Sequence, residues 1–179
     1  MPLTLAILIP GLLLVAIGLP LVLVHAGAIA ALKGFPRSPA ATTVFFGAGA
    51  LWFLYKIWHL PSSDFGDYRV ILFIAFAAIA AMSFKCAPDF LAVRGLCILA
   101  LLAASPLLMA GYMNYDHPLI YFQKGLVYLC IVLAIWLGAQ PWRMRDFLEW
   151  LFARPERTRA MGSAIALYGL LLTVVAFTY

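Results

Sequence analysis

The chain has 179 residues, of which 66% are hydrophobic and 11% charged, with a mean hydropathy of +1.03 and a formal net charge of +5. Soluble domains carry roughly a quarter charged residues, so this composition excludes an ordinary soluble fold. The basic residues lie between apolar runs, where they suit anionic lipid headgroups and not a nucleic-acid footprint.

A helix needs about 20 mostly apolar residues to cross the hydrocarbon core. Six runs qualify, at about 3–32, 41–60, 70–86, 91–113, 119–140 and 160–178. The expected fold is a single all-α integral membrane domain, a six-helix transmembrane bundle threaded as three consecutive hairpins.

The first run is too long for one straight crossing and contains Pro10 and Pro20, so a bend or tilt is expected. No basic residue precedes it, and Lys33 and Arg37 follow it, so it reads as a retained span and not a signal peptide. His25 is the most interior ionisable side chain; the expected role is a neutral histidine hydrogen-bonded to a neighbouring helix, and the alternative makes it the one candidate cofactor ligand. The second span opens with GFPRSPAATT and carries Gly47, Ala48, Gly49 and Ala50 near its middle.

The outer connection HLPSSDFGDYR (59–69) supplies His59, Asp64 and Asp67, and a later one, NYDHP (114–118), supplies Asp116 and His117. Two histidines and three carboxylates form a candidate divalent-metal ligand set, although neither loop has the fixed spacing of a metal motif. Between these loops, the short third span places Ala77, Ala80 and Ala81 on a small-residue face; a re-entrant third run would reduce the count to five spans. The fourth carries Ser105 and Pro106, a kink signal.

CAPDFLAVRG (86–95) and ARPERTRAMG (153–162) repeat proline, acid, arginine and glycine in one order at the mouth of an apolar run. Proline suits the first helical turn, and Asp89 and Glu156 suit the positive end of the helix dipole. Gly95 and Gly162, each seven residues after its proline, would admit a neighbouring helix. Between the fifth and sixth spans, residues 142–154 place Met144, Phe147, Leu148 and Leu151 on one helical face, with Arg145, Asp146 and Glu149 opposite. This pattern predicts an interfacial amphipathic helix. Arg94, Trp142, Arg143, Arg145, Trp150 and Arg159 are the candidate inner-face contacts to lipid or a partner.

Lys and Arg divide nine to three between alternate connections, which puts the first, third and fifth connections inside and both termini outside, in a cell inner membrane if the source is prokaryotic. No acid, lysine or arginine lies near a span midplane, and HExxH, GxSxG, CxxC and glycine-rich phosphate loops are absent. The expected role is therefore non-catalytic: a structural, accessory or assembly subunit that associates with other membrane proteins or with itself, without a cofactor and without nucleic acid. Two alternatives stand beside it. One is a small-solute transporter or channel in which Pro106, the second-span glycines and His25 line a path; the other is a metal-binding protein or enzyme using the outer His/Asp cluster.

Overall fold

The computed structural model describes residues 2–113 and 118–178, and among the described residues there is helix and no strand. Six helical segments are long and apolar enough to cross a bilayer: Leu3–Val22, Pro39–Trp58, Gly66–Cys86, Leu91–Ala110, Ile120–Ala139 and Pro155–Ala176. They correspond to the six expected runs, and the third is a continuous helix.

The first run is two helices, α1 (Leu3–Val22) and α2 (Ala26–Gly34). Pro10 and Pro20 are both accommodated within α1. The break comes after them, where the His25 N–H donates to the Pro20 carbonyl at 3.0 Å and the Val24 N–H to that of Leu21 at 3.1 Å. This doubled bond pattern closes a helix end when the residue after the cap is left-handed, and Val24 has φ 50°. Valine fills a role usually given to glycine, so no turn signal marks the break.

The second span starts at α3 (Pro39–Ala41), widens into a π-helical turn at Thr42–Phe46 and continues as α4 (Gly47–Trp58). Ser38 caps its start by accepting from the Ala41 N–H at 3.2 Å. Then follow α5 (Arg69–Cys86), α6 (Leu91–Ala110), α7 (Ile120–Ala139), the surface helix α8 (Trp142–Phe152) and α9 (Pro155–Ala176).

The tightest pairing joins the first and last spans. A Cβ on Gly18 would stand 2.7 Å from the Ala166 nitrogen, one on Gly162 2.6 Å from the Val22 nitrogen, and one on Gly169 2.7 Å from the Gly11 carbonyl oxygen. Gly11 and Gly18 are seven apart, as are Gly162 and Gly169. Two facing heptad rows of glycine thus bring α1 and α9 together backbone to backbone. Ile7, Leu172, Val175 and Ala176 fill the buried space at one end of this seam.

Helix α6 packs against α7, α4 and the π turn, with a smaller contact to α1; α5 packs against α4. Gly95 of α6 lies against the backbone of Phe45 and Phe46, so the wide turn stands where that approach is closest. The main pairings thus link span four with spans two and five, span two with span three, and the first span with the last. They differ from the expected hairpins of spans one with two, three with four and five with six: glycines admit a neighbouring backbone between the first and last spans and between the second and fourth, and aromatic rings join the second to the third.

The two repeated motifs also differ. Pro155 and Glu156 do occupy the first turn of α9. Pro88 and Asp89, by contrast, precede α6, because Phe90 is left-handed at φ 58° and the helix begins only at Leu91. Gly95 and Gly162 nevertheless both receive a neighbouring backbone, as their spacing suggested.

Candidate functional site

The expected outer cluster can be followed through its described members. His59 ends α4, its Nδ1 lies 2.8 Å from the Tyr55 carbonyl oxygen, and its ring stacks on Tyr55 at 4.2 Å. A hydrogen bond to that carbonyl makes Nδ1 the donor, leaving only Nε2 for a ligand. Asp64 and Asp67 fall in successive 3-10 turns, Ser62–Asp64 and Gly66–Tyr68, and both are exposed. Among the described residues no three His, Cys, Asp or Glu side chains gather to hold a metal; Asp116 and His117 lie outside the described residues.

His25 sits not inside a straight span but at the break between α1 and α2. Its Nδ1 accepts from the Ala28 N–H at 3.3 Å, so its structural task is to cap α2. Pro106 lies within an unbroken α6, and Gly49 is buried against Ile98.

The basic connections converge at one end of the bundle. Lys33 of α2 lies 5.8 Å from the Phe152 ring of α8, and Arg37 lies 5.6 Å from the ring of Phe90. Helix α8 closes this end. Leu148 and Leu151 are buried and Met144 packs on Val93, Cys97 and Ala134, while Trp142, Phe147 and Trp150 remain exposed at its sides. The amphipathic helix therefore turns part of its apolar face to the bundle and leaves an aromatic edge free.

The arginines around α8 are held in different ways. Arg157 stacks 4.7 Å from the Trp150 ring and donates to the Trp150 carbonyl at 3.3 Å. Arg143 stacks 5.5 Å from the Trp136 ring and donates to Gln140. Arg145 pairs with Asp146 at 2.8 Å, and that hydrogen bond, with the attraction of the same carboxylate, raises its pKa above the usual arginine value. Among the described residues Arg94 and Arg159 make no ion pair. Thr158, fully buried, ties α9 to α8 by donating to the Leu151 carbonyl at 3.0 Å.

Three features escape a reading of composition and span length. The first is Gln123, fully buried, whose amide donates to the Leu107 carbonyl of α6 at 3.1 Å while its own Oε1 has no partner. The second is the glycine pair of α1 with Gly169, visible in hindsight as heptad spacing within apolar runs. The third is a cleft between α4 and α5. Aromatic side chains hold these helices, in edge contacts of Phe46 with Phe84, Phe53 with Phe76 and Trp58 with Phe73 at 5.2–5.5 Å. Beside them an apolar cavity of about 290 Å³ is lined by Phe46, Ala50, Phe53, Ile79, Ala80 and Ile98 among others. A second cavity, of about 300 Å³, lies among Arg37, Thr42, Thr43, Phe84, Pro88 and Asp89.

No protein-family description matches this chain, and no curated protein and no solved structure is similar to it.

Proposed function

We propose that the chain is a multi-pass membrane protein of non-catalytic role, an accessory or assembly subunit that associates with another membrane protein. Its six apolar helices span the bilayer as three hairpins in threading order, with the basic end and α8 in the cytoplasm and both termini on the other side, as the nine-to-three division of Lys and Arg requires. Threading and packing are separate matters: the chain turns inside after each odd span, while the closest helix pairs are made elsewhere.

The observation that carries the subunit reading is α5. The other five spans each bury between 22 and 33% of their apolar window, and α5 buries none of its own. Ile71, Ile74, Ala75, Ala78 and Met82 recur at three- and four-residue spacing on α5 and are all exposed. Lipid tails are as apolar as these side chains, so exposure alone costs little; small residues on an open face permit a close helix contact that lipid cannot match. The free aromatic edge of α8 adds a second surface at the cytoplasmic end.

The test is gentle detergent purification at native expression level, with mass spectrometry of what accompanies the protein. A stoichiometric membrane partner is expected, lost when Ala75 and Ala78 are both replaced by Leu. Purification as a lone chain, or a partner indifferent to that double substitution, removes the basis for the reading.

A further inference from the structure

The two cavities follow one another along α5, sharing no lining residue, with the edge contact of Phe46 and Phe84 between them. Along the second span their lining runs Arg37, Thr42, Thr43, then Phe46, Ala50, Phe53; along the antiparallel partner it runs Asp89, Pro88, Phe84, then Ser83, Ala80, Ile79. Polar residues thus lie at the basic end and apolar ones toward the middle of the spans. The π turn Thr42–Phe46 bridges the two, contributing Thr42 and Thr43 to one cavity and Phe46 to the other. Such wide turns are frequent at functional sites.

Length and charge both specify an occupant. From Thr43 to Phe53 is ten residues, about 15 Å of helical rise, which is half the roughly 30 Å hydrocarbon thickness and so one leaflet's depth. At the mouth, Arg37 and Asp89 present opposite charges, and neither has an ion-pair partner among the described residues. The Thr43 hydroxyl donates to the Pro39 carbonyl at 3.0 Å, which leaves its oxygen free to accept.

We propose that the two cavities together hold one phospholipid with a zwitterionic, primary-amine headgroup, which passes beside the Phe46–Phe84 contact from one to the other. Its phosphate meets Arg37, its ammonium meets Asp89 with the threonine hydroxyls, and one acyl chain lies along Phe46, Ala50, Phe53, Ile79 and Ala80. An arginine and an acid at one mouth match a headgroup bearing both signs; a purely anionic lipid would meet Asp89 unfavourably, and a quaternary amine has no N–H to donate to it. The inference rests on the bilayer-spanning part of the reading above and not on the existence of a protein partner.

The experiment is native mass spectrometry of detergent-purified protein titrated with phosphatidylethanolamine, phosphatidylcholine or phosphatidylglycerol of identical acyl chains. One retained phosphatidylethanolamine is expected, at about tenfold or greater preference over the other two, the discrimination of one charge-assisted hydrogen bond. Asp89→Asn removes the preference, Arg37→Gln weakens all three lipids by about tenfold, and Ala80→Phe, which fills the groove, abolishes retention. Leu129→Phe on the exposed side of α7 is the control and retains the lipid. Because a crowded groove can unfold the bundle, Ala50→Phe on the opposite wall is read beside it, with thermal unfolding of each. Equal retention of the three lipids by the native chain, or retention by folded Ala80→Phe and Ala50→Phe proteins, overturns the proposal. So does a co-purifying protein or a second copy that takes the lipid's place and is lost with Ala80→Phe.

Discussion

The α1/α9 pair and the α4/α5 pair are built from equally apolar helices and solve contact in opposite ways. Between α1 and α9 the glycine rows remove side chains from the seam, and the backbones meet. Between α4 and α5 aromatic rings stand edge to face and hold the helices apart, leaving a cleft at their side. Dispersion attraction falls off within an ångström or so of optimal contact, so the first arrangement binds the helices along their length and the second only at a few points. Hydropathy is blind to this distinction. Both pairs qualify as membrane spans by length and composition, yet one meets backbone to backbone and the other through a few rings beside an open cavity.

That contrast can be broken most severely at Gly18. Its added Cβ would meet the backbone of Ala166, which cannot rotate away, so Gly18→Leu should destabilise by about 3 kcal/mol and Gly18→Ala by about half as much. Unfolding in mixed micelles measures both, and an undiminished Gly18→Leu protein would show that α1 and α9 are not in backbone contact. A smaller effect is expected across the aromatic pair: Phe53→Ala and Phe76→Ala should each cost about 1 kcal/mol, and together less than their sum, since both remove one shared contact. Full additivity would mean that the rings do not touch. The smallest expected change is at Gln123, which ties α6 to α7. Gln123→Leu should cost about 0.6 kcal/mol, because the lost bond to Leu107 is offset by removing an unpartnered oxygen.

The six long apolar helices were legible because bilayer thickness sets the length of apolar run to look for. The amphipathic α8 was equally plain from its periodicity, ending at Phe152 where the expected helix ran to Ala153 and Arg154. Turn positions were not legible, for a reason visible in four residues. Among the described residues the left-handed positions are Val24, Phe65, Phe90 and Met113, and no described glycine has a positive φ. Gly11, Gly18, Gly95, Gly162 and Gly169 stand instead at close helix contacts, while bulky apolar residues carry the left-handed backbone. For that reason the break before His25 and the late start of α6 could not be read, and His25, expected within a span and bonded to a neighbouring helix, instead stands at the break and caps α2. His59, at the end of α4, is followed by Asp64 and Asp67 in the next connection, and nothing in the sequence marks that His59 Nδ1 is engaged by the Tyr55 carbonyl of its own helix. Inter-helix partners were the least legible of all, since they depend on matching glycine rows at positions far apart in the chain.

The pairing of α1 with α9 also sets a timetable. The ribosome finishes Val22 more than 130 residues before it finishes Pro155, and at about 5–20 residues per second that interval is roughly 7–27 s. Throughout it, the glycine row of α1 has no matching surface, and any other membrane helix with a small-residue stripe competes for it. Assembly is therefore completed by the arrival of its latest span, and a nascent chain stalled before Gly162 and Gly169 should leave its first span open to capture.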